Sequence, residues 1–186
     1  MSQAAAKNTQ SSKFSVRDIC YTGLFAAVMA QNSIPMPLGV PMTMQTFAIT
    51  LAAVVLGSKL SAMASLVYLI LGAVGVPVLA SFSGGIDKFV GPTGGFLIPF
   101  PLMAYLIGLG VEHRNAFKGA FPLAVVVGTV VNYIVGVILF VIVAHSTVAV
   151  AISACVLPFI PTAIIKAVLA CAIGLNIRKR IPGLKA

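Results

Sequence analysis

The stretch PVLASFSGGIDKFVGPTGG, Pro77–Gly95, lies mid-chain between two strongly apolar segments and is crowded with glycine and hydroxyl residues. Glycine admits positive φ and lets backbone approach backbone or ligand closely. Beside apolar helices such a stretch cannot face lipid, because its N–H and C=O groups would go unsatisfied there. It therefore lies at the water boundary or lines a cavity. The reading adopted is one wall of a solute site near one membrane face, with Ser83, Gly84, Gly91 and Thr93 as its candidate contacts.

The rest of the chain has the composition of the membrane interior. Of 186 residues, 60% are hydrophobic and only 8% charged, and the mean hydropathy is +1.10. A soluble domain is about one quarter charged. An integral membrane protein follows, forming one compact bundle. The net charge of +9 does not point to nucleic acid, because the basic residues flank apolar segments instead of interleaving with aromatics on one face. Cys20, Cys155 and Cys171 are too widely spaced for a disulfide framework or a metal pair. Cys20 and Cys171 fall in apolar segments and read as small core residues. The polar N-terminal residues carry no apolar h-region, which argues against a cleaved signal peptide.

A membrane-spanning helix needs about 20 mostly apolar residues. Candidates run from about Arg17 to Ile34, Phe47 to Gly57, Leu60 to Val76, Gly95 to Val111, Phe121 to Ala144, and from Thr162 or a little before to Ile177. Pro35, Pro37 and Pro41 break the chain after the first, and Pro99 and Pro101 imply a kink or late start in the fourth. Pro158 and Pro161 divide the last apolar segment, Val148 to Ile177. The expectation is an all-α membrane protein, a six-helix bundle over residues 18–180, with tails at 1–17 and 181–186. Six crossings place both termini on one side. Lys7, Lys13, Arg17, Lys59, Arg114, Lys118, Arg178, Lys179, Arg180 and Lys185 then share that side, ten of the twelve Lys and Arg. The bias makes it cytoplasmic. Only Lys88 lies outside, and only Lys166 lies within a span.

An ammonium within a span is costly and is a functional candidate by default. Lys166 stands 12 residues before Arg178, so roughly 18 Å above the inner boundary at about 1.5 Å per residue. It either snorkels to the outer surface or is a buried cation awaiting an anion. The Pro161 break just above exposes a helix N-terminus, which favours a carboxylate or phosphate there. Counted up from Lys118, Asn132 and Tyr133 reach roughly 21–23 Å, about the same level. They either join helices or line the site. Gln45 approaches from the same outer side. Met36, Met42 and Met44 either repack over an apolar ligand or simply pack on helix ends. The small pairs Gly23 with Ala27 and Ala26 with Ala30 allow close helix contact, inside the bundle by the residues alone. No Walker-type ATP motif, zinc-protease motif or nucleophile turn is present. No carboxylate lies in a span, where coupled carriers commonly place one. No cofactor or metal is expected, and no covalent catalysis.

The runs VPMTMQTFAITLAAVVLG (Val40–Gly57), GAVGVPVLASFSGG (Gly72–Gly85), GPTGGFLIPF (Gly91–Phe100) and LPFIPTAIIKAVLA (Leu157–Ala170) resemble the BioY family, from about Asp18 to the end of the chain. That family comprises the biotin-specific substrate-binding S components of energy-coupling factor transporters. The resemblance implies six membrane helices in a prokaryotic cell membrane and biotin captured near the outer face. It also implies import with a membrane coupling subunit and two ATPase subunits. In this family a first-helix Ala-x-x-x-Ala pattern faces the coupling subunit, a role Ala26 and Ala30 would take here. Where the family carries an Asp three residues before the Lys of its last helix, this chain has Ala163, and the run after GPTGG ends in Pro99-Phe100. Biotin suits the residues: a carboxylate for Lys166, a ureido ring for amides and hydroxyls, and an apolar ring for Met and aromatic packing. The cationic vitamin thiamin would be opposed by Lys166. The alternative reading is a stand-alone facilitator or carrier for a small anionic vitamin.

Overall fold

The structure, a computed structural model, describes residues 15–30, 33–34, 42–114 and 119–181. The Met and Pro loop at residues 35–41, and Lys7, Lys13, Lys118 and Lys185, lie outside the described residues. Helix α1, Val16–Met29, opens with Asp18 Oδ2 accepting from the Ser15 N–H at 3.0 Å, the reciprocal half of a capping box. It stops short of the expected Ile34. Instead β1, Ser33–Ile34, pairs antiparallel with β2, Met42–Thr43. Helices α2, Gln45–Leu56, and α3, Ser58–Ala73, follow almost without a break.

Within the glycine-rich stretch come a 3₁₀ turn, Ala80–Phe82, and the short helices α4, Asp87–Val90, and α5, Gly94–Leu97. Helix α6, Phe100–Glu112, starts behind Pro99 with Pro101 in its first turn, where a missing N–H costs nothing. This is the break that the two prolines lead one to expect. Helix α7, Ala120–Ala144, agrees with the expected span to within a residue. The last apolar segment divides into α8, Val148–Cys155, a 3₁₀ turn at Leu157–Phe159, and α9, Ile160–Arg180. Pro158 thus sits in the turn between α8 and α9, and Pro161 in the first turn of α9. Three stretches, Gly94–Glu112, Ala120–Ala144 and Val148–Arg180, are long and apolar enough to cross a membrane, while α2 and α3 are shorter apolar helices.

Helix α2 is the core. Ala48, Ile49, Ala52, Ala53, Val54 and Val55 have no exposed surface, and the helix packs against α9, α6, α3 and α1. A helix apolar on every face belongs in the interior. Small residues permit the contact: a Cβ on Gly174 of α9 would sit 2.7 Å from Val54 Cγ1. The fold leaves Cys20 exposed, so the core position expected for it is not found. Its side of α1 faces outward while Phe25, Ala26 and Met29 face in.

A cation from α9 holds one end of α2. At the C-terminal end, Arg178 Nη1 donates to the Val54 and Val55 carbonyls, each at 3.1 Å. These carbonyls have no partner further along the helix. The α2–α3 junction is Gly57, at φ +83°. A side chain there would be strained and would also place its Cβ 2.4 Å from Glu112 Oε1. Glu112, at the end of α6, accepts from the Ser58 N–H at 2.7 Å and from Ser58 Oγ, which caps α3. Arg178 reads in the sequence as a topology signal. In the fold it also satisfies one of the two helix ends that meet at Gly57, and Glu112 the other.

Candidate functional site

The opposite end of the bundle holds a cavity with about 790 Å³ between its walls, mouth included. The chain converges on it from β2 and the start of α2, the glycine-rich stretch, the α5–α6 turn, the middle of α7, the end of α8 with the turn after it, and the start of α9. Among its lining are Lys166, Ala163, Tyr133, Asn132, Gln45, Ser83 and Thr93. The equal depths counted for Lys166 and Asn132 along two different helices thus correspond to one cavity. Gly84 and Gly91 lie outside the lining. A Cβ on Gly84 would meet the backbone of Gly75 and Val76 at 2.5–2.8 Å, so it serves chain packing, and Gly91 ends α4 with its N–H on the Asp87 carbonyl.

The glycine-rich wall is tightly made. Leu79 and Ser83 form an isolated antiparallel bridge, and the turn between them carries Ser81 and Phe82 at φ +58° and +52°. Two consecutive left-handed residues without glycine cost of order 1–3 kcal/mol each, and such outliers cluster at functional sites. The turn is tied down by Ser83 Oγ donating to the Ala80 carbonyl at 2.6 Å and by the Gly85 N–H on the Gly72 carbonyl at 2.7 Å. Gly94 comes so close to Phe89 that a Cβ would lie 1.9 Å from its carbonyl oxygen.

The polar groups are few and fixed. Lys166 is half-buried, and its Nζ donates to the Thr43 carbonyl at 2.7 Å. Thr43 Oγ1 in turn donates to Gln45 Oε1 at 3.3 Å, and Gln45 Nε2 donates to the buried Tyr68 hydroxyl. Asn132 is 3% exposed, and its Oδ1 accepts no hydrogen bond within the described residues. A buried carbonyl oxygen without a donor is costly, and here it stands in the wall of a cavity. Leu79, Phe96, Phe100 and Phe159 form the apolar part of the wall. The site therefore offers a cation, an unsatisfied acceptor and a carboxamide around a greasy chamber. Such sites recognise a ligand by a small number of placed polar groups. Among the described residues no His, Cys, Asp and Glu group could hold a metal ion.

Several lining residues were not singled out from the sequence. Lys88 adds a second cation at the mouth, in ion pair with Asp87 at 3.3 Å; its signal was being the sole cation of the glycine-rich stretch. Thr43, Thr46, Leu79, Cys155 and Thr162 also line the cavity, and no local pattern marks them. Tyr133 and Ala163 have a second neighbour, an apolar crevice between α7 and the α8–α9 segment.

Of the expected docking pair, Ala26 is 4% exposed and packs in the core, and Ala30 is half-buried. The small residues that α1 leaves exposed are Gly23 and Ala27, with open space at Gly23.

Three comparisons agree. The family model described as the BioY family matches residues 6–183. The chain is similar to the biotin transporter BioY of Thermotoga maritima, 40% identical over 167 residues, covering 88% of this chain and 97% of the relative. It is similar also to the biotin transporter BioY of Rhizobium etli, 35% identical over 185 residues, covering 92% of this chain and 98% of that one. Among solved structures, the S-component for biotin from an ECF-type ABC transporter superposes with a TM-score of 0.79. Identity there is 27%, over 89% of this chain and 93% of that chain.

Proposed function

Since the chain belongs to the BioY family, we propose that it is the biotin-binding membrane subunit of an ATP-driven vitamin importer. The observation that carries the reading is the cavity that gathers Lys166, Asn132 and Gln45 within an apolar chamber. Lys166 and the N-terminal turn of α9 meet the carboxylate of biotin. Asn132 Oδ1 accepts from a ureido N–H, which satisfies a buried lining acceptor left without a donor among the described residues. The aromatic wall packs on the sulfur-containing ring. The chain performs no covalent chemistry; it captures and releases.

The bundle crosses a prokaryotic cell membrane six times, with both termini in the cytoplasm and tails at 1–17 and 181–186. The fold supports this orientation by where it gathers charge. Arg17, Lys59, Arg114 and Arg178–Arg180 lie toward the Gly57 end, whereas Lys88 and Lys166 lie at the cavity end. That is the bias of a cytoplasmic and an outer face. The partners are a membrane coupling subunit and two ATPase subunits, docked through the exposed small residues Gly23 and Ala27 of α1, where helices can approach closely.

Titration of the purified chain with biotin and with thiamin tests the reading: biotin binds and thiamin does not. In proteoliposomes, uptake requires the coupling and ATPase subunits with ATP. Ala27→Leu keeps biotin binding and loses copurification of those subunits. Uptake by this chain alone would replace the importer with a facilitator, and preference for thiamin would overturn the site.

Ala163 faces the same cavity three residues before Lys166, on one side of the helix. Ala163→Asp is expected to tighten biotin binding about tenfold or more, since a carboxylate there accepts from the ureido N–H groups or holds the ammonium. A hydrogen bond to a charged group contributes about 1.5–3 kcal/mol. An unchanged calorimetric affinity would remove this face of α9 from the contact surface.

A further inference from the structure

Tyr68 has no exposed surface and stands behind the cavity wall, not in it. On α3, its hydroxyl accepts from Gln45 Nε2. Gln45 is 3% exposed, opens α2, and lines the cavity. Its other amide atom, Oε1, accepts from Thr43 Oγ1 at 3.3 Å, and the Thr43 carbonyl accepts from Lys166 Nζ at 2.7 Å. One continuous relay therefore runs from a buried phenol, through a carboxamide and a threonine, to the ammonium of the site.

We propose that Tyr68 is a positioning residue for the solute site: it holds the Gln45 carboxamide in one orientation and, through Thr43, fixes where Lys166 points. The inference rests on the biotin reading above. A carboxamide carries a donor and an acceptor on a planar group that rotates as a unit, so an unanchored Gln45 presents either edge to the ligand. With Nε2 committed to Tyr68 and one side of Oε1 committed to Thr43, a single arrangement faces the cavity. The ligand then meets a pre-oriented site and does not lose affinity to ordering it. Tyr68 reaches the ligand only through Gln45, which distinguishes it from a lining residue.

The test is a double-mutant cycle in the full chain, in detergent, with biotin as the titrant. Tyr68→Phe removes only the hydroxyl and is expected to weaken binding about tenfold, the scale of a lost buried hydrogen bond. Gln45→Leu weakens it also. The double variant Tyr68→Phe with Gln45→Leu is expected to bind as Gln45→Leu does, because the residue through which Tyr68 acts is gone. Unchanged binding in Tyr68→Phe, or losses that multiply in the double variant, overturns the proposal. Should Tyr68→Phe alone not fold, the double variant removes the phenol hydroxyl and the carboxamide facing it together, leaving only the part-buried Thr43 hydroxyl to find another acceptor. Its comparison with Gln45→Leu then decides: equal affinities support the proposal, a weaker double overturns it. Absence of biotin binding in the unaltered chain would overturn the biotin reading, and the inference with it.

Discussion

Replacing Lys166 by leucine is expected to weaken biotin binding roughly 10- to 100-fold while the helical fold persists. The ammonium lines the cavity from the second turn of α9, half-buried, and donates to the Thr43 carbonyl. The ion pair found among the described residues joins Lys88 to Asp87, so Lys166 meets the ligand without a competing carboxylate. A carboxylate bound there forms a charge-assisted hydrogen bond contributing about 1.5–3 kcal/mol, and each 1.4 kcal/mol or so is tenfold in affinity. Leucine keeps the packing volume and removes the charge, so circular dichroism should report an unchanged helix content. Calorimetric titration measures the loss. An affinity within twofold of the unaltered chain would move the ligand's carboxylate elsewhere, with Lys88 as the next cation at the mouth.

Arg178→Leu is expected to lower the thermal midpoint by about 5–15 °C. Arg178 is 5% exposed, and its guanidinium donates to both the Val54 and Val55 carbonyls. Each buried acceptor left bare costs about 1–3 kcal/mol, and in a chain of this size 1 kcal/mol shifts the midpoint by about 2–4 °C. Arg180, two residues on and exposed, provides the control: Arg180→Leu should leave the midpoint where it is. Equal shifts in the two variants would mean that Arg178 acts only as a topology charge. Biotin affinity should change far less than stability, because Arg178 lies at the other end of α9 from the cavity.

The contrast between these two residues shows what could be read from the chain before it folds. Lys166 was conspicuous because an ammonium in an apolar run has a cost that sequence alone reveals. Arg178 sat in a run of basic residues beyond a helix, where the ordinary explanation, a charge at the cytoplasmic boundary, was sufficient. Its bonds to Val54 and Val55 are contacts between positions more than a hundred residues apart. Asn132 was placed at the right level by helix rise, because a helix converts residue counts into depth. Tyr68 carries no such signal, since a tyrosine in an apolar segment has many possible partners.

Boundaries followed the same rule. Helix α7, without a break from Phe121 to Ala144 apart from an early proline, was legible almost to the residue. Helix α1 was drawn through to Ile34, whereas Ser33 and Ile34 pair with β2, and no local propensity encodes that partner. Ala26 and Ala30 had the right spacing for a docking face. Spacing does not say which side of a helix its own bundle covers, and the covered side includes Ala26.

The grip of α9 on α2 carries a consequence for how the chain is made. Helix α2 has 12 residues, about 18 Å at 1.5 Å per residue, against a hydrocarbon layer of about 30 Å. It is too short to span on its own, and its last carbonyls find their donor on Arg178, which a ribosome adds more than a hundred residues later. The seating of α2 thus waits on a helix made well after it. A nascent chain halted before Ile160 should hold α2 in a place where a cysteine introduced at Ala52 reacts with a water-soluble maleimide. The completed chain should protect that position. Protection in both would mean that α1, α3 and α6 suffice to seat α2, and the last helix would then be a lock added to an already assembled core.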